Sequence, residues 1–201
     1  MPATTRSRAR EDDLLPVRDR LLDAAERLAG RSGLQNFTLE AVANEAGVSK
    51  GGLLYHFPSK SALITAIVQR LADRCEADQQ AALAEAPNCP GAFARAYVAV
   101  RTDPLDPGEL RVHAALLAAA GTDPRFLDPF REKMAGWQAR LEADGIEPEV
   151  ALIVRLAIDG MCLCGLLGMP LPTGELRSRV IERLMAMTQP AEPLNKQENS
   201  Q

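Results

Sequence analysis

Apolar residues recur at three- and four-residue intervals along most of the chain, which is the spacing of one face of an α-helix. Over 14–31 these positions are Leu14, Val17, Leu21, Leu22, Ala25, Leu28 and Ala29. The same spacing predicts a long helix over 59–83 and further helices near 91–102, 107–120, 129–144, 148–168 and 174–188. No stretch alternates apolar and polar residues over the length of a strand. The pattern predicts an all-α chain.

Two shorter helices are predicted between the first two long segments. Thr38 is placed to cap the first and Ser49 the second, because a hydroxyl at the N-cap accepts a backbone N–H. Gly47 separates the two helices and can adopt the left-handed conformation of a tight turn. Phe57 precedes Pro58, and a residue before proline avoids the helical region, so the second helix is expected to end near residue 56.

Helices this short cannot bury their own apolar faces, so they must pack against the longer helices on either side. The expected interior contacts come from Val42, Ala43, Ala46, Val48 and Leu53. The outer face of 49–56 then has the dimensions of a helix that enters the major groove of DNA. Its predicted outward residues are Ser49, Lys50, Gly51, Gly52, Tyr55 and His56. Two glycines in a helix cost about 1 kcal/mol each relative to alanine, which favours a close approach of the backbone to DNA.

The chain has 201 residues, of which 46% are hydrophobic and 25% charged, as is ordinary for a globular protein. Residues 1–10 contain no apolar run of the kind found in a signal peptide. The apolar stretch 151–171 is interrupted by Arg155, Asp159 and Pro170, which argues against a membrane span. We therefore expect a cytoplasmic protein whose four cysteines remain thiols.

The formal net charge of −4 is distributed unevenly. Residues 1–60 carry nine Lys/Arg against eight Asp/Glu, for +1, and residues 61–201 carry fourteen against nineteen, for −5. This acidic total argues against non-specific polyanion binding by the whole molecule. A local DNA-binding face remains compatible with it, because exposed charges are screened beyond about 8–10 Å.

The segment from Leu14 to about Arg74 resembles the DNA-binding domain of the tetracycline-repressor (TetR) family. The match comprises Phe37-Thr38, Val42-Ala43, Ala46-Gly47-Val48-Ser49, Tyr55-His56-Phe57 and Ser59-Lys60. The resemblance implies an N-terminal three-helix helix-turn-helix DNA-binding domain and a C-terminal helical domain that binds an effector and dimerises. The expected divisions are a flexible basic arm at 1–13, the DNA-binding domain at 14–74 with its motif at about 37–56, the sensing and dimerisation domain at 75–188, and a disordered tail at 189–201.

Together, the resemblance and the residue types predict DNA contacts by Thr38, Ser49, Lys50, Gly51, Tyr55, His56 and Lys60. Hydroxyls at helix N-termini can contact phosphate while they cap. Alternatively the two lysines are solvated surface residues, Tyr55 packs locally and His56 makes structural hydrogen bonds. Arg6, Arg8 and Arg10 form either a minor-groove arm or a solubilising tail. Gly52 and Leu54 replace the family's usual threonine and aromatic residue, so its base preference does not carry over.

The segment 148–168 is apolar on every side, and such a helix must be buried on more than one face. A second apolar stripe lies in 174–188, at Leu176, Val180, Leu184 and Met187. Paired about a two-fold axis, the two segments would form a four-helix interface. TetR-type proteins dimerise in this way, which implies a homodimer on a palindromic, double-stranded operator.

An effector site is expected among polar or polarizable residues on the apolar faces of the C-terminal helices. The candidates are Arg101, His113, Met134, Trp137, Asp159 and Cys162. A buried carboxylate such as Asp159 needs a partner, a proton or a ligand, and Arg155 lies four residues earlier. His113 and Trp137 are alternatively core residues, and Cys162 a small buried hydrophobe.

Other classes of protein find less support in the sequence. Two histidines, without an evident acid–nucleophile partner, and the lack of a phosphate-binding glycine loop or metal-ligand cluster argue against an enzyme. No cofactor, metal or catalytic residue is predicted. A helical adaptor that works through protein contacts remains an alternative. The sequence therefore predicts a transcriptional repressor that a small apolar or amphipathic effector releases from DNA.

Overall fold

The structure is a computed structural model that describes residues 16–33, 37–102 and 107–189, and within these ranges it contains helices and no strand. In chain order the helices are α1 (Val17–Ser32), α2 (Leu39–Ala46), α3 (Lys50–His56), α4 (Lys60–Glu85), α5 (Ala92–Thr102), α6 (Pro107–Ala120), α7 (Asp128–Glu142), α8 (Pro148–Leu166) and α9 (Gly174–Met187). The predicted all-α fold is confirmed. The predicted arm, and the tail beyond residue 189, lie outside the described residues.

A 3-10 turn at Pro124–Leu127 precedes α7 and was not expected from the sequence. The Asp123 side chain accepts the backbone N–H of Arg125 at 3.1 Å and also pairs with its guanidinium at 2.8 Å. Phe126, inside the turn, is buried in the core. The capping aspartate and the buried ring together order a segment that lies between the predicted helices 107–120 and 129–144.

The chain forms two compact units. The first comprises the described residues of Met1–Glu76 and Pro104–Lys133, and the second those of Ala77–Asp103 and Met134–Gln201. The segment 75–188, predicted to be the sensing and dimerisation domain, contributes α6 to the first of these units, because α6 packs against α1.

The first unit is built around α1, whose buried face includes Leu21 and Leu22 and packs against α2 and α6. Val112 and Leu116 of α6 belong to the same core. Gly30 permits the close approach, since a Cβ there would lie 3.3 Å from the Val112 side chain. Each large aliphatic side chain buried in this way contributes about 1.5–3 kcal/mol to folding. α6 therefore belongs to this unit because it packs against α1, a tertiary contact that the local sequence pattern does not predict.

The second unit packs α5 against α8 and α9. Its buried residues include Tyr97, Trp137, Leu141, Val154 and Ile158. Asp144, which follows α7, accepts the backbone N–H groups of Phe93 at 3.0 Å and Ala94 at 2.7 Å. The carboxylate thus satisfies two donors in the first turn of α5 and fixes where that helix begins.

The start of α5 and the end of α9 meet at Gly91. Gly91 has φ +79°, and a Cβ there would lie 2.0 Å from the carbonyl oxygen of Thr188. Arg95 donates to that same carbonyl at 2.8 Å and to the Pro90 carbonyl at 3.1 Å. Only glycine fits this approach, and the arginine then holds the two chain segments together.

Candidate nucleic-acid interface and a buried charged cluster

The turn between α2 and α3 has the geometry that its sequence predicted. Gly47 adopts the left-handed conformation, with φ 65° and ψ 33°, and the Val48 N–H donates to the Ala43 carbonyl at 2.9 Å. Arg20 of α1 donates to the Ala46 carbonyl at 2.9 Å, where a cation stabilises the C-terminus of a helix. The turn is therefore fixed from both its own backbone and α1.

The apolar side of this helix pair is buried as expected. Val42, Ala43, Ala46 and Leu53 lie in the core of the first unit, and Val48 is half-buried. The opposite side of α3 is open, because Tyr55 has 85% of its surface exposed. The ring of His56 contacts that of Tyr55 edge to face at 5.1 Å and is half-buried.

Three side-chain hydroxyls cap consecutive helices in this unit. Thr38 accepts the N–H of Ala41 at 3.1 Å, and Ser49 accepts that of Gly52 at 3.0 Å. Ser59, at the start of α4, accepts the N–H of Ala62 at 3.0 Å. Each hydroxyl accepts in its cap and keeps its own proton to donate, so a phosphate oxygen is a suitable further partner.

Two predicted lysines differ in their surroundings. Lys50 opens α3, and its Nζ lies 3.2 Å from a carboxylate oxygen of Glu40 in α2; both side chains are exposed. Lys60 opens α4, and its Nζ lies 5.7 Å from the centre of the buried Phe37 ring. Glu40 was not singled out from the sequence. The sequence does show that Glu40 lies in the first turn of α2, the helix that precedes Lys50, and this was the only indication that the two could pair.

The two glycines of α3 have different structural roles. At Gly51 a Cβ would meet nothing within 4 Å, so that backbone is open to an approaching molecule. At Gly52 a Cβ would lie 2.9 Å from the Val48 side chain and 3.3 Å from the Ser49 hydroxyl. Packing within the turn therefore also requires a glycine at position 52, which is half-buried, whereas Gly51 is exposed.

In the second unit, Asp159 has two partners. The Tyr97 hydroxyl donates to it at 2.6 Å, and Arg155 lies 3.6 Å from its other oxygen, as the four-residue spacing had suggested. Burial raises the pKa of Tyr97 above its ordinary value; Arg101 opposes this shift, and the hydrogen bond to Asp159 adds to it. Tyr97 therefore stays neutral and acts as the donor in its hydrogen bond to Asp159.

Arg101 lies against the same tyrosine. Its guanidinium carbon is 3.6 Å from the centre of the Tyr97 ring and 4.7 Å from that of Trp137, and the two rings meet edge to face at 6.3 Å. One guanidinium nitrogen donates to the buried Gln79 at 2.8 Å, and Gln79 in turn donates to the Phe93 carbonyl at 3.3 Å. Cys162 donates to the backbone carbonyl of Arg101 at 3.7 Å.

The structure thus brings together four of the predicted effector residues: Arg101, Trp137, Asp159 and Cys162. Met134, half-buried, belongs to the same unit, but no described hydrogen bond or ring contact joins it to them. His113 belongs to the first unit, where burial lowers its pKa from 6.5, with Arg74 adding to the shift and Glu26 opposing it. Gln79 was missed because it contacts Arg101 from another helix. Tyr97 lies four residues before Arg101 on α5, a spacing visible in the sequence that could have identified it.

A surface pocket of about 400 Å³ lies in the first unit, lined among others by Ser61, Thr65, Arg125, Phe126 and Glu132. None of the predicted effector residues lines it. None of the four cysteines forms a disulfide in the structure. Across the described ranges, no group of three or more histidines, cysteines or carboxylates is arranged to hold a metal ion, and no helix is long and apolar enough to cross a membrane.

The capped helix pair, its left-handed glycine and its exposed outer face define a helix-turn-helix regulator that binds DNA. Residues 21–67 match the family model described as bacterial regulatory proteins, tetR family, and residues 91–189 match the tetracyclin repressor-like C-terminal domain. The chain belongs to the TetR family of transcriptional regulators.

Individual relatives agree with this assignment. The HTH-type transcriptional regulator UidR of Escherichia coli K12 is 36% identical over 69 residues, which are 34% of this chain and 32% of UidR. The chain thus spans about a third of the length of this relative. The structure of a TetR-family member (SCO1917) from Streptomyces coelicolor A3 is 26% identical with a TM-score of 0.66, covering 87% of this chain and 99% of that one. The multidrug binding protein EbrR complexed with ethidium is 25% identical with a TM-score of 0.65, covering 87% and 99%.

Proposed function

We propose that this protein is a homodimeric repressor that binds a palindromic operator and is released by a small-molecule effector. The observation that carries the proposal is the exposed face of α3, where the Tyr55 ring and the open backbone at Gly51 lie on a helix buried on its other side. An exposed aromatic residue on a short, tightly supported helix suits contact with base edges or sugar. Operator binding implies that the protein acts in the cytoplasm.

The surrounding residues supply contacts to the DNA backbone. Lys50 and Lys60 begin α3 and α4, and the hydroxyls of Thr38 and Ser49 keep a proton for phosphate oxygens. Phosphate contacts position a protein on the duplex, and base contacts select the sequence. In this proposal α3 enters the major groove, and His56 supports the orientation of Tyr55 through their edge-to-face contact.

Dimerisation is supported by a row of exposed leucines, three of them on α8 and the fourth, Leu167, at its C-cap. Leu152, Leu156, Leu163 and Leu167 follow one another at intervals of four, seven and four residues, and between 36% and 54% of each is exposed in the single chain. Such spacing places them on one face of the helix. A contiguous apolar face of this kind marks an interface. On α9 the exposed Leu176 can join it, whereas Leu184 is buried within its own unit.

Effector release is supported by the family and by the cluster around Arg101. EbrR is a multidrug binding protein solved with ethidium, which shows that a protein of related fold holds a small molecule. In the proposed mechanism the effector binds in the second unit and shifts α4, a continuous helix with residues in both units. Release requires the effector to bind more tightly to the form whose recognition helices are wrongly spaced for the operator than to the form that binds DNA.

The test uses the full chain and a fluorescently labelled duplex taken from upstream of its own gene. We expect saturable binding with a Kd of about 10⁻⁸ M or tighter at moderate salt, at least 10³-fold tighter than for a random duplex. Sedimentation should give a dimer. Failure to bind both duplexes would contradict the proposal and favour the protein-binding adaptor instead.

A further inference from the structure

The cluster around Tyr97 in the second unit contains more positive than negative charge. Arg101 stacks on the Tyr97 ring, and Arg155 pairs with Asp159. Among the described residues no second carboxylate lies within ion-pair distance of either guanidinium. Tyr97 is neutral, because its hydroxyl proton stays on the tyrosine and forms the hydrogen bond to Asp159. Within the described part of the chain, two cations and one carboxylate leave one positive charge without a counterion.

The same two arginines carry donors without acceptors. Nη2 of Arg101 and Nε of Arg155 are both buried and have no hydrogen-bond partner in the described part of the chain. A buried N–H that lacks an acceptor costs free energy, more so on a charged group. Gln79 already occupies the other terminal nitrogen of Arg101, and Tyr97 and Arg155 already engage Asp159. The two donors of Arg101 and Arg155 therefore still need a negatively charged oxygen as an acceptor.

The surroundings of Arg101 are apolar and aromatic. Trp137 and Tyr97 are essentially buried, and Cys162 contacts the Arg101 backbone from α8. A guanidinium stacked on aromatic rings keeps its edge free for in-plane hydrogen bonds. We propose that the effector of this regulator is an amphipathic anion, a carboxylate or similar oxyanion on an apolar body, and that Arg101 binds its charged group. This inference rests on the proposed function.

A cationic effector does not fit this cluster. An ammonium or a cationic dye would meet two guanidinium groups, while the one carboxylate is already held by a hydrogen bond and an ion pair. Like charges in a desolvated site repel strongly. The ligand class therefore differs in charge from the ethidium bound by EbrR.

The chain's single tryptophan, Trp137, provides the measurement, since it lies beside Arg101. Full-length protein without DNA is titrated with octanoate, octan-1-ol and octyltrimethylammonium, which share one alkyl length and differ in charge. Octanoate should shift the tryptophan emission saturably, with a Kd about tenfold or more below that of the other two, as a charge-assisted hydrogen bond implies.

Three variants locate the site. Arg101→Met should weaken octanoate binding about tenfold, and Arg101→Lys should fall between it and the natural protein because it keeps the charge without the planar fork. Arg131→Met is the matched control, since Arg131 is exposed and pairs with Asp128 in the first unit. Thermal unfolding of each variant checks that it is folded.

The proposal is overturned if the cation binds as tightly as octanoate, if octanoate gives no saturable change, or if Arg101→Met leaves its affinity unaltered in a folded protein. None of these results touches DNA binding, which the labelled duplex measures separately. Conversely, a protein that ignores DNA but binds octanoate through Arg101 would refute the repressor and leave the anion site standing.

Discussion

The ammonium of Lys50 lies 3.2 Å from the carboxylate of Glu40, so a predicted DNA-binding cation is paired with an acidic side chain on the neighbouring helix. The pair is exposed and therefore weak, worth at most about 1 kcal/mol. On approach to DNA the carboxylate opposes binding to phosphate and competes for the lysine. Glu40 is thus positioned to reduce non-specific affinity on the proposed interface.

Glu40→Gln should tighten binding to random duplex by up to about fivefold and steepen the salt dependence by about one phosphate contact. Fluorescence anisotropy at several salt concentrations measures both quantities. Glu182→Gln, an equal charge change at an exposed position of α9, serves as control. An unchanged salt slope in Glu40→Gln would remove Glu40 from the interface.

Lys60→Ala should weaken binding to every DNA sequence and lower the salt slope by about one unit, because a phosphate contact is lost without any change in base recognition. The same anisotropy series measures it. Lys133→Ala is the control, because Lys133 pairs with Asp73 and is not among the predicted DNA contacts. Equal slopes for the two variants would show that Lys60 does not contact phosphate.

Tyr55→Ala should lower operator affinity by about tenfold and leave the free energy of unfolding within about 0.5 kcal/mol of the natural value, since the side chain is 85% exposed. Leu53→Ala, on the buried side of α3, should instead cost about 2–5 kcal/mol of stability. Urea unfolding and operator binding of both variants separate the two roles. A large stability loss in Tyr55→Ala would identify it as a packing residue.

Leu156→Glu should convert the dimer to a monomer, because it places a charge in the middle of the exposed leucine row on α8. Sedimentation velocity over a range of protein concentrations measures this. Leu54→Glu makes the same change at an exposed leucine of α3 and should leave the dimer intact. Dimers of both variants would exclude this face of α8 as the interface.

His113 should make stability depend on pH. Burial lowers its pKa in the folded state, so at acidic pH the unfolded chain binds the proton more readily. The contribution of neutral His113 to the free energy of unfolding is therefore fully present above the pKa of the unfolded chain, about 6.5, and is lost as the pH falls toward the lower pKa of the folded state. Urea unfolding at about pH 7.5, 6.5 and 5.5 should show a smaller loss in His113→Gln than in the natural protein. Identical losses in the two proteins would contradict the assignment.

The sequence predicted the helices well because proline, glycine and hydroxyl caps mark their ends locally. Thr38, Gly47 and Ser49 each adopt the predicted conformation or cap. Contacts between residues distant in sequence were not accessible in this way. The pairing of α6 with α1 depends on the fit of Val112 against Gly30, and the contact of Arg101 with Trp137 depends on the packing of the second unit.

The predicted site residues divide along the same line. The outward residues of α3 followed from helix periodicity alone, whereas the effector set was drawn from residue type and combined two units. His113 was included because it is a polar residue on an apolar face, a pattern that does not reveal which core the face joins. Whether these residues bind DNA or an effector stays a prediction that the variants above test.

The contact between Gly91, Arg95 and the Thr188 carbonyl spans 93 residues from the arginine to its acceptor. During synthesis the first unit has all of its described helical segments once residue 133 has emerged, but the second unit must wait for the last turn of α9. Folding that depends on such distant partners is slow. On the ribosome, the first unit would therefore fold first. Premature termination within α9 would release chains whose first unit is folded and whose second unit is incomplete.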